Sequence, residues 1–195
     1  MAGSPYQSFR HECTIPNGNS FLLDLDNDWI ASKEYIQDEA HEHVKIKRSD
    51  VLVELSENLT FKLPFRFNEL AKRIVAAKYI LELEDNWDDE GSKSYSERTL
   101  KQAIDFIIEY THWVWDTLNI VITPPKILHG PDQSIDLLWE RPSYELLINI
   151  PPHPKKIVRF YGDNRKDARI EGQFNINEYG QGVFLCLLAN ERQIP

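Results

Sequence analysis

Two cysteines and one methionine among 195 residues leave little room for sulfur chemistry. Cys13 and Cys186 cannot build a disulfide framework or a zinc knuckle, so both read as small core residues in a reducing compartment. No apolar run approaches the roughly 18 residues that span a bilayer, and Met1 to Arg10 lacks the apolar core of a signal peptide. A cytoplasmic protein without membrane contact is the expectation. Positive charge is also scarce. With 22 Lys and Arg against 31 Asp and Glu, the net charge is −9, which removes the electrostatic basis for direct nucleic-acid binding. The chain has no glycine-rich phosphate loop, no serine in a nucleophile elbow, no His-x-x-x-His pair, no internal repeat and no low-complexity tract. His41 and His43 would share a face on a strand, but nothing nearby completes a metal site with them.

What remains is a chain of ordinary composition, 42% hydrophobic, with a length that suits one domain or a domain with an appendage. Its acidity is local: residues 1–66 carry −4, residues 67–120 carry −5, and the rest is neutral. The pattern divides near residue 66 as well. Segment 1–66 reads as β-rich, with a turn at Pro16-Asn17-Gly18-Asn19 before the apolar run Phe21 to Leu25. Val51, Val53 and Leu55 then alternate with polar residues, as do Leu59, Phe61 and Leu63, and Ser56-Glu57-Asn58 links them as a hairpin. The polar stretch from Asp26 to Glu42 reads as loop or short helix.

Residues 67–195 read as a helix pair plus a meander. Phe67, Leu70, Ala71, Ile74, Ala77 and Leu81 keep a helical period, with Asn68 as N-cap. A second helix runs from about Ser96 to Leu118. Its apolar face (Leu100, Ala103, Ile104, Ile107, Thr111, Val114, Leu118) has Phe106, Tyr110 and Trp113 on a flank, a width that implies contact on two sides. Trp113 and Trp115 read as packing residues. Beyond it, a turn at Glu140 to Ser143 would set Trp139 opposite Tyr144, Leu137 opposite Leu146 and Ile135 opposite Ile148, all on one face. Strands from Lys156 to Tyr161 and Ala168 to Phe174 extend the meander. The fold class is therefore α+β: a two-helix hairpin packed on an antiparallel β-meander, preceded by a β-rich N-terminal segment. Val183 to Ala189 reads as buried.

Two polar features invite a functional reading. The first is the acidic run Glu82, Glu84, Asp85, Asn86, Trp87, Asp88, Asp89, Glu90, Gly91. Counted from Asn86, its spacing resembles a calcium loop, with Asp88 third, Glu90 fifth, Gly91 at the turn and Glu97 twelfth. Asn at the first position, a long Glu at the fifth and Lys93 at the apolar eighth depart from that pattern. The structural alternative is a helix–helix connection with solvated charges and Trp87 tucked inward. No other cofactor is expected. A second acidic string at Asp24, Asp26 and Asp28 has Trp29 where the glycine should be, and fails. The second feature runs from Pro125 to Asp136. His129, Asp132 and Asp136 are candidates for acid/base work, while Gly130-Pro131-Asp132-Gln133 reads structurally as a β-turn. Asp136, Glu145 and Arg159 would share the open sheet face as surface ions, or serve catalysis if that face is a cleft.

The strings Asn86-Trp87-Asp88-Asp89-Glu90-Gly91-Ser92, Pro125-Lys126-Ile127 and Gly130-Pro131-Asp132-Gln133-Ser134-Ile135-Asp136-Leu137-x-Trp139 occur in that order. Glu145-Leu146-Leu147-Ile148-Asn149-Ile150-Pro151 and Phe160-Tyr161-Gly162-Asp163 follow them. Over about residues 70–175 this set resembles a family of small prokaryotic proteins with a helix–loop–helix plus meander module. The resemblance implies a fold and no activity, cofactor or catalytic residues. It also implies Asn-Trp-Asp-x-x-Gly as the turn pattern, in which Glu90 is not a required ligand.

The leading functional expectation is a non-enzymatic interaction or regulatory protein, in a bacterial defence, toxin–antitoxin or mobile-element setting. Its acidic run (Glu82, Glu84, Asp85, Asp88, Asp89, Glu90) would meet a basic protein partner. The alternatives are a hydrolase or metal-dependent enzyme using Asp132, Asp136, Glu145 and His129, and an acidic mimic of nucleic acid.

Overall fold

The structure is a computed structural model that describes residues 50–167, 169–177, 184 and 188, together with the backbone of 12–14 and 20–22. The turn at Pro16 to Asn19, the stretch from Asp26 to Glu42, both histidines at 41 and 43, and Cys186 lie outside the described residues. Strands β1 (Glu12–Thr14) and β2 (Ser20–Leu22) form an antiparallel pair.

The next hairpin follows directly from period-two alternation. In β3 (Val51–Ser56) and β4 (Leu59–Leu63), Val53, Leu55, Leu59, Phe61 and Leu63 are buried while Leu52, Glu54, Thr60 and Lys62 face outward. A register shift between Glu54 and Ser56 places a bulge next to the turn. This hairpin shares one continuous core with everything that follows it, so the β-rich segment contributes at least these two strands to the main core.

The first helix is shorter than its apolar spacing predicts. A 3-10 turn at Phe65–Phe67 leads into α1 (Asn68–Ala76), and a second 3-10 segment covers Ala77–Glu82. Asn68 is the first helical residue and not the N-cap; the cap position belongs to Phe67, which offers no side-chain acceptor. In the tighter 3-10 segment, residues three apart eclipse, so Ala77 and Ile80 both stay in the core while Tyr79 reaches sideways toward the sheet. Helix α2 (Glu97–Leu118) matches the sequence reading closely: Ser96 Oγ accepts from the Thr99 N–H at 3.1 Å. Its C-cap is Asn119 in the left-handed region. Its wide apolar face is used on two sides, with Leu100, Ile104 and Ile107 fully buried and Phe106 and Tyr110 meeting Phe174 and Phe184. Trp113 and Trp115 are partly buried against the core.

Five antiparallel strands follow in sequence order: β5 (Lys126–His129), β6 (Ile135–Glu140), β7 (Glu145–Ile150), β8 (Ile157–Asp163) and β9 (Arg169–Asn175). The fold is mixed α+β with a five-stranded meander. Helix α1 packs on β3 and β5, and α2 packs on β6 and β7. The β6–β7 register differs from the one read from sequence. Trp139 pairs with Leu146, Leu137 with Ile148 and Ile135 with Ile150, a shift of two residues. The loop is Arg141 to Tyr144, closed by the Arg141 N–H donating to the Tyr144 carbonyl at 2.9 Å. Because side chains alternate every second residue, a two-residue shift preserves the inward face, and hydrophobic pattern alone cannot separate the two registers. Tyr144, released from the ladder, is buried instead.

Candidate functional site

The register just described sets Asp136 opposite Asn149 on the outer sheet face. Asn149 Nδ2 donates to Asp136 Oδ1 at 2.6 Å and to Ser134 Oγ at 2.7 Å, and Ser134 Oγ donates in turn to the Pro131 carbonyl at 2.6 Å. This relay holds the β5–β6 connection from below. The connection is a tight turn, but it sits one residue later than the sequence reading of Gly130 to Gln133: Pro131 and Ser134 close it. Asp132 and Gln133 are its central pair and both adopt positive φ (53° and 63°), as tight hairpin turns require. Gly130 N–H donates to the Ser134 carbonyl at 2.8 Å, and the Ser134 N–H to the Pro131 carbonyl at 3.0 Å. Gly130 itself is buried, and a Cβ there would lie 2.5 Å from Ser134 Oγ and 2.8 Å from Asp136 Oδ1. The close approach of the turn to its own support therefore depends on glycine.

The acidic run folds into a self-bonded loop. Asn86 Oδ1 accepts from the Gly91 N–H at 2.8 Å, while Asp88 Oδ1 accepts from the Glu90 and Ser92 N–H groups at 3.0 and 3.2 Å. Asp88 Oδ2 accepts from Ser92 Oγ at 2.5 Å. Asp85 accepts from the Ser94 N–H and from Lys93 Nζ, both at 2.9 Å. The bond from Ser94 and the bond from Lys93 hold the Asp85 carboxyl down at about 2, and the Ser92 hydroxyl lowers that of Asp88. The loop's own donors thus fill one acceptor site on Asn86 Oδ1, two on Asp88 Oδ1 and one on Asp88 Oδ2. Glu97 is exposed in the first turn of α2. Among the described residues, no group of three or more His, Cys, Asp or Glu could hold a metal ion.

The loop and the turn, separated by some forty residues, face each other. They line a cleft of about 530 Å³, with Trp87, Asp88, Glu90, Gly91, Ser92, Lys93 and Tyr95 on one side and His129 to Gln133 on the other. Three rings line it, Trp87, Tyr95 and His129, and a fourth, Tyr79, packs on His129 without lining the cleft. His129 lies 4.7 Å from Trp87, 6.2 Å from Tyr95 and 5.8 Å from Tyr79, centroid to centroid, each contact edge-on. Tyr79 Oη and His129 Nδ1 share a hydrogen bond of 3.0 Å, and Tyr95 Oη donates to the Gly130 carbonyl at 2.6 Å. Trp87 Nε1 is buried without a hydrogen-bond partner, so the indole shows the cleft only its carbon surface. Trp87 is half-buried over this ring cluster and is not part of the main core.

The sequence-derived catalytic set does not converge. His129 and Asp132 line the cleft, and Asp136 lies just beneath the turn. Burial raises the Asp136 carboxyl above its ordinary value, with Asn149 and His129 pulling the other way, and burial raises Tyr95 as well. Glu145 stands four residues along β7 from Asn149, about 13 Å away, and pairs with Arg165 at 3.3 Å. Arg159 shares the outer face but lies opposite Asn149 and Gln173, while Asp136 bonds Asn149 and Glu145 pairs with Arg165. Of the six acids assigned to partner contact, only Asp88 and Glu90 reach the cleft; Glu82, Glu84 and Asp89 are exposed outside it, and Asp85 is engaged by Lys93 and Ser94. Sequence reasoning missed Tyr79, Tyr95, Ser134 and Asn149. Tyr95 carried one usable signal, as a lone aromatic in a polar stretch immediately before a helix cap.

No helix among the described residues is long and apolar enough to cross a membrane. No protein-family profile, curated protein or solved structure matches the chain.

Proposed function

We propose that the chain is a non-enzymatic recognition domain that binds a basic protein partner through the cleft between the 86–95 loop and the 129–133 turn. The observation that carries this reading is the composition of the cleft: a ring-lined base under a rim bearing Asp88, Glu90 and Asp132. Aromatic surface supplies contact area at low entropic cost, and the surrounding carboxylates favour a cationic partner. The groups suited to acid–base chemistry are engaged in holding the site together: Asp136 by Asn149, His129 by Tyr79, and Asp88 by its own loop. Carboxylates elsewhere are paired with lysine or arginine, as at Asp50–Lys62, Asp105–Lys101, Glu140–Lys126 and Asp163–Arg169, which weighs against a phosphate-like acidic array.

The test is affinity purification from the source cell at low salt, with the intact chain and a Glu90→Gln/Asp132→Asn variant run side by side. A stoichiometric protein retained by the intact chain, released by high salt and lost with the variant is expected. Equal retention by both chains, or no retained protein, overturns the reading.

A further inference from the structure

We infer that the cleft accepts a single cationic side chain, the guanidinium of arginine or the ammonium of lysine, as the anchoring group of its ligand. This deepens the recognition reading above and rests on it.

The cavity sets the terms. Its volume of about 530 Å³ is in the range of small-molecule clefts and leaves room for one long side chain. Its wall on the loop side is the carbon surface of Trp87 and Tyr95, since Trp87 Nε1 is buried and the Tyr95 hydroxyl is committed to Gly130. Such a wall takes the aliphatic stem of a long side chain. Its rim then selects the charge at the end of that stem. Three carboxylates line the cleft against one ammonium, Lys93, and that ammonium is already paired with Asp85 at 2.9 Å. The Glu90 and Asp132 side chains are exposed and make no ion pair with any described residue. A neutral apolar ligand would leave those charges crowded over its end. An anion would meet three carboxylates. An amphipathic cation satisfies wall and rim together, with its methylenes on the rings and its head between the acids.

The probes are the N-acetyl methylamides of arginine, lysine and citrulline, titrated into the isotopically labelled full chain. Backbone amides of Gly91, Ser92 and Gly130 report on the cleft. The arginine or lysine probe should shift these amides saturably with a midpoint on the order of 1 mM, rising with salt. Citrulline, which keeps the shape of arginine without its charge, should not. Glu90→Gln/Asp132→Asn should raise the midpoint about tenfold while leaving the thermal midpoint unchanged. Saturation by citrulline at the same midpoint, no saturation by either cation up to about 20 mM, or an unmoved midpoint in the double variant overturns the assignment. If the probes fail while the double variant still loses its protein partner, the recognition reading stands and the single-cation anchor falls.

Discussion

The Tyr95 hydroxyl donates a 2.6 Å hydrogen bond to the carbonyl of Gly130 and so ties the loop before α2 to the turn between β5 and β6. It joins the two walls of the cleft alongside the ring contacts of Trp87 and Tyr95 with His129. Tyr95→Phe removes the donor and leaves the buried Gly130 carbonyl without it. A loss of about 1 kcal/mol in urea unfolding is expected. Hydrogen exchange should quicken in residues 86–95 more than in α2. Equal protection of the loop in both proteins would show that the bond does not hold it.

Gly130→Ala tests the other wall. The added methyl would meet Ser134 Oγ and Asp136 Oδ1 well inside normal contact distance, and both atoms belong to the Asn149 relay. Denaturant unfolding should show a loss of about 1–3 kcal/mol. Stability within error of the parent would mean that the relay moves aside freely.

Asp136 gives a pH signature. Burial raises its carboxyl, so the folded state favours the protonated form. Its contribution to stability is fully present below the unfolded value of 3.8 and is lost as pH rises through the higher folded value. In Asp136→Asn the amide stays neutral. The stability of this variant relative to the parent should therefore climb from acid pH toward neutrality, then level off. A constant difference across that range would remove the linkage.

The 86–91 loop makes a prediction about metal. With Asn86 and Asp88 oxygens accepting from Gly91, Glu90 and Ser92, millimolar calcium should leave the thermal midpoint unchanged. An upward shift of several degrees would mean that the loop exchanges these bonds for a bound ion.

Much of the local structure was legible before any coordinates. The extent and wide face of α2 and the alternation of β3 and β4 follow from nearest-neighbour rules of spacing, and the turn before β6 follows to within one residue. The end of α1 was not legible, because Ala77 and Ile80 satisfy helical and 3-10 spacing alike. Asp88 and Asn86 read two ways for a related reason. Short polar side chains spaced two apart can converge on a cation or cap their own backbone, and the choice depends on the path of the loop.

By itself the sequence determined the extent of α2, the strands β3, β4 and β6 to β9 to within a few residues, the apolar face of each, and where the negative charge lies. Those properties are local, carried by periods of two and 3.6 and by residues within one turn of each other. The tertiary structure decided the β6–β7 register, because shifts of two residues present the same face. It also decided which polar residues meet. That register places Asn149 under Ser134 and Asp136, and the packing of the 77–82 segment and the 86–95 loop brings Tyr79, Trp87 and Tyr95 around His129. Contacts across 35 to 50 residues leave no periodic trace in a single chain. The acidic run and the turn thus read as two separate features in sequence and form one cleft in space.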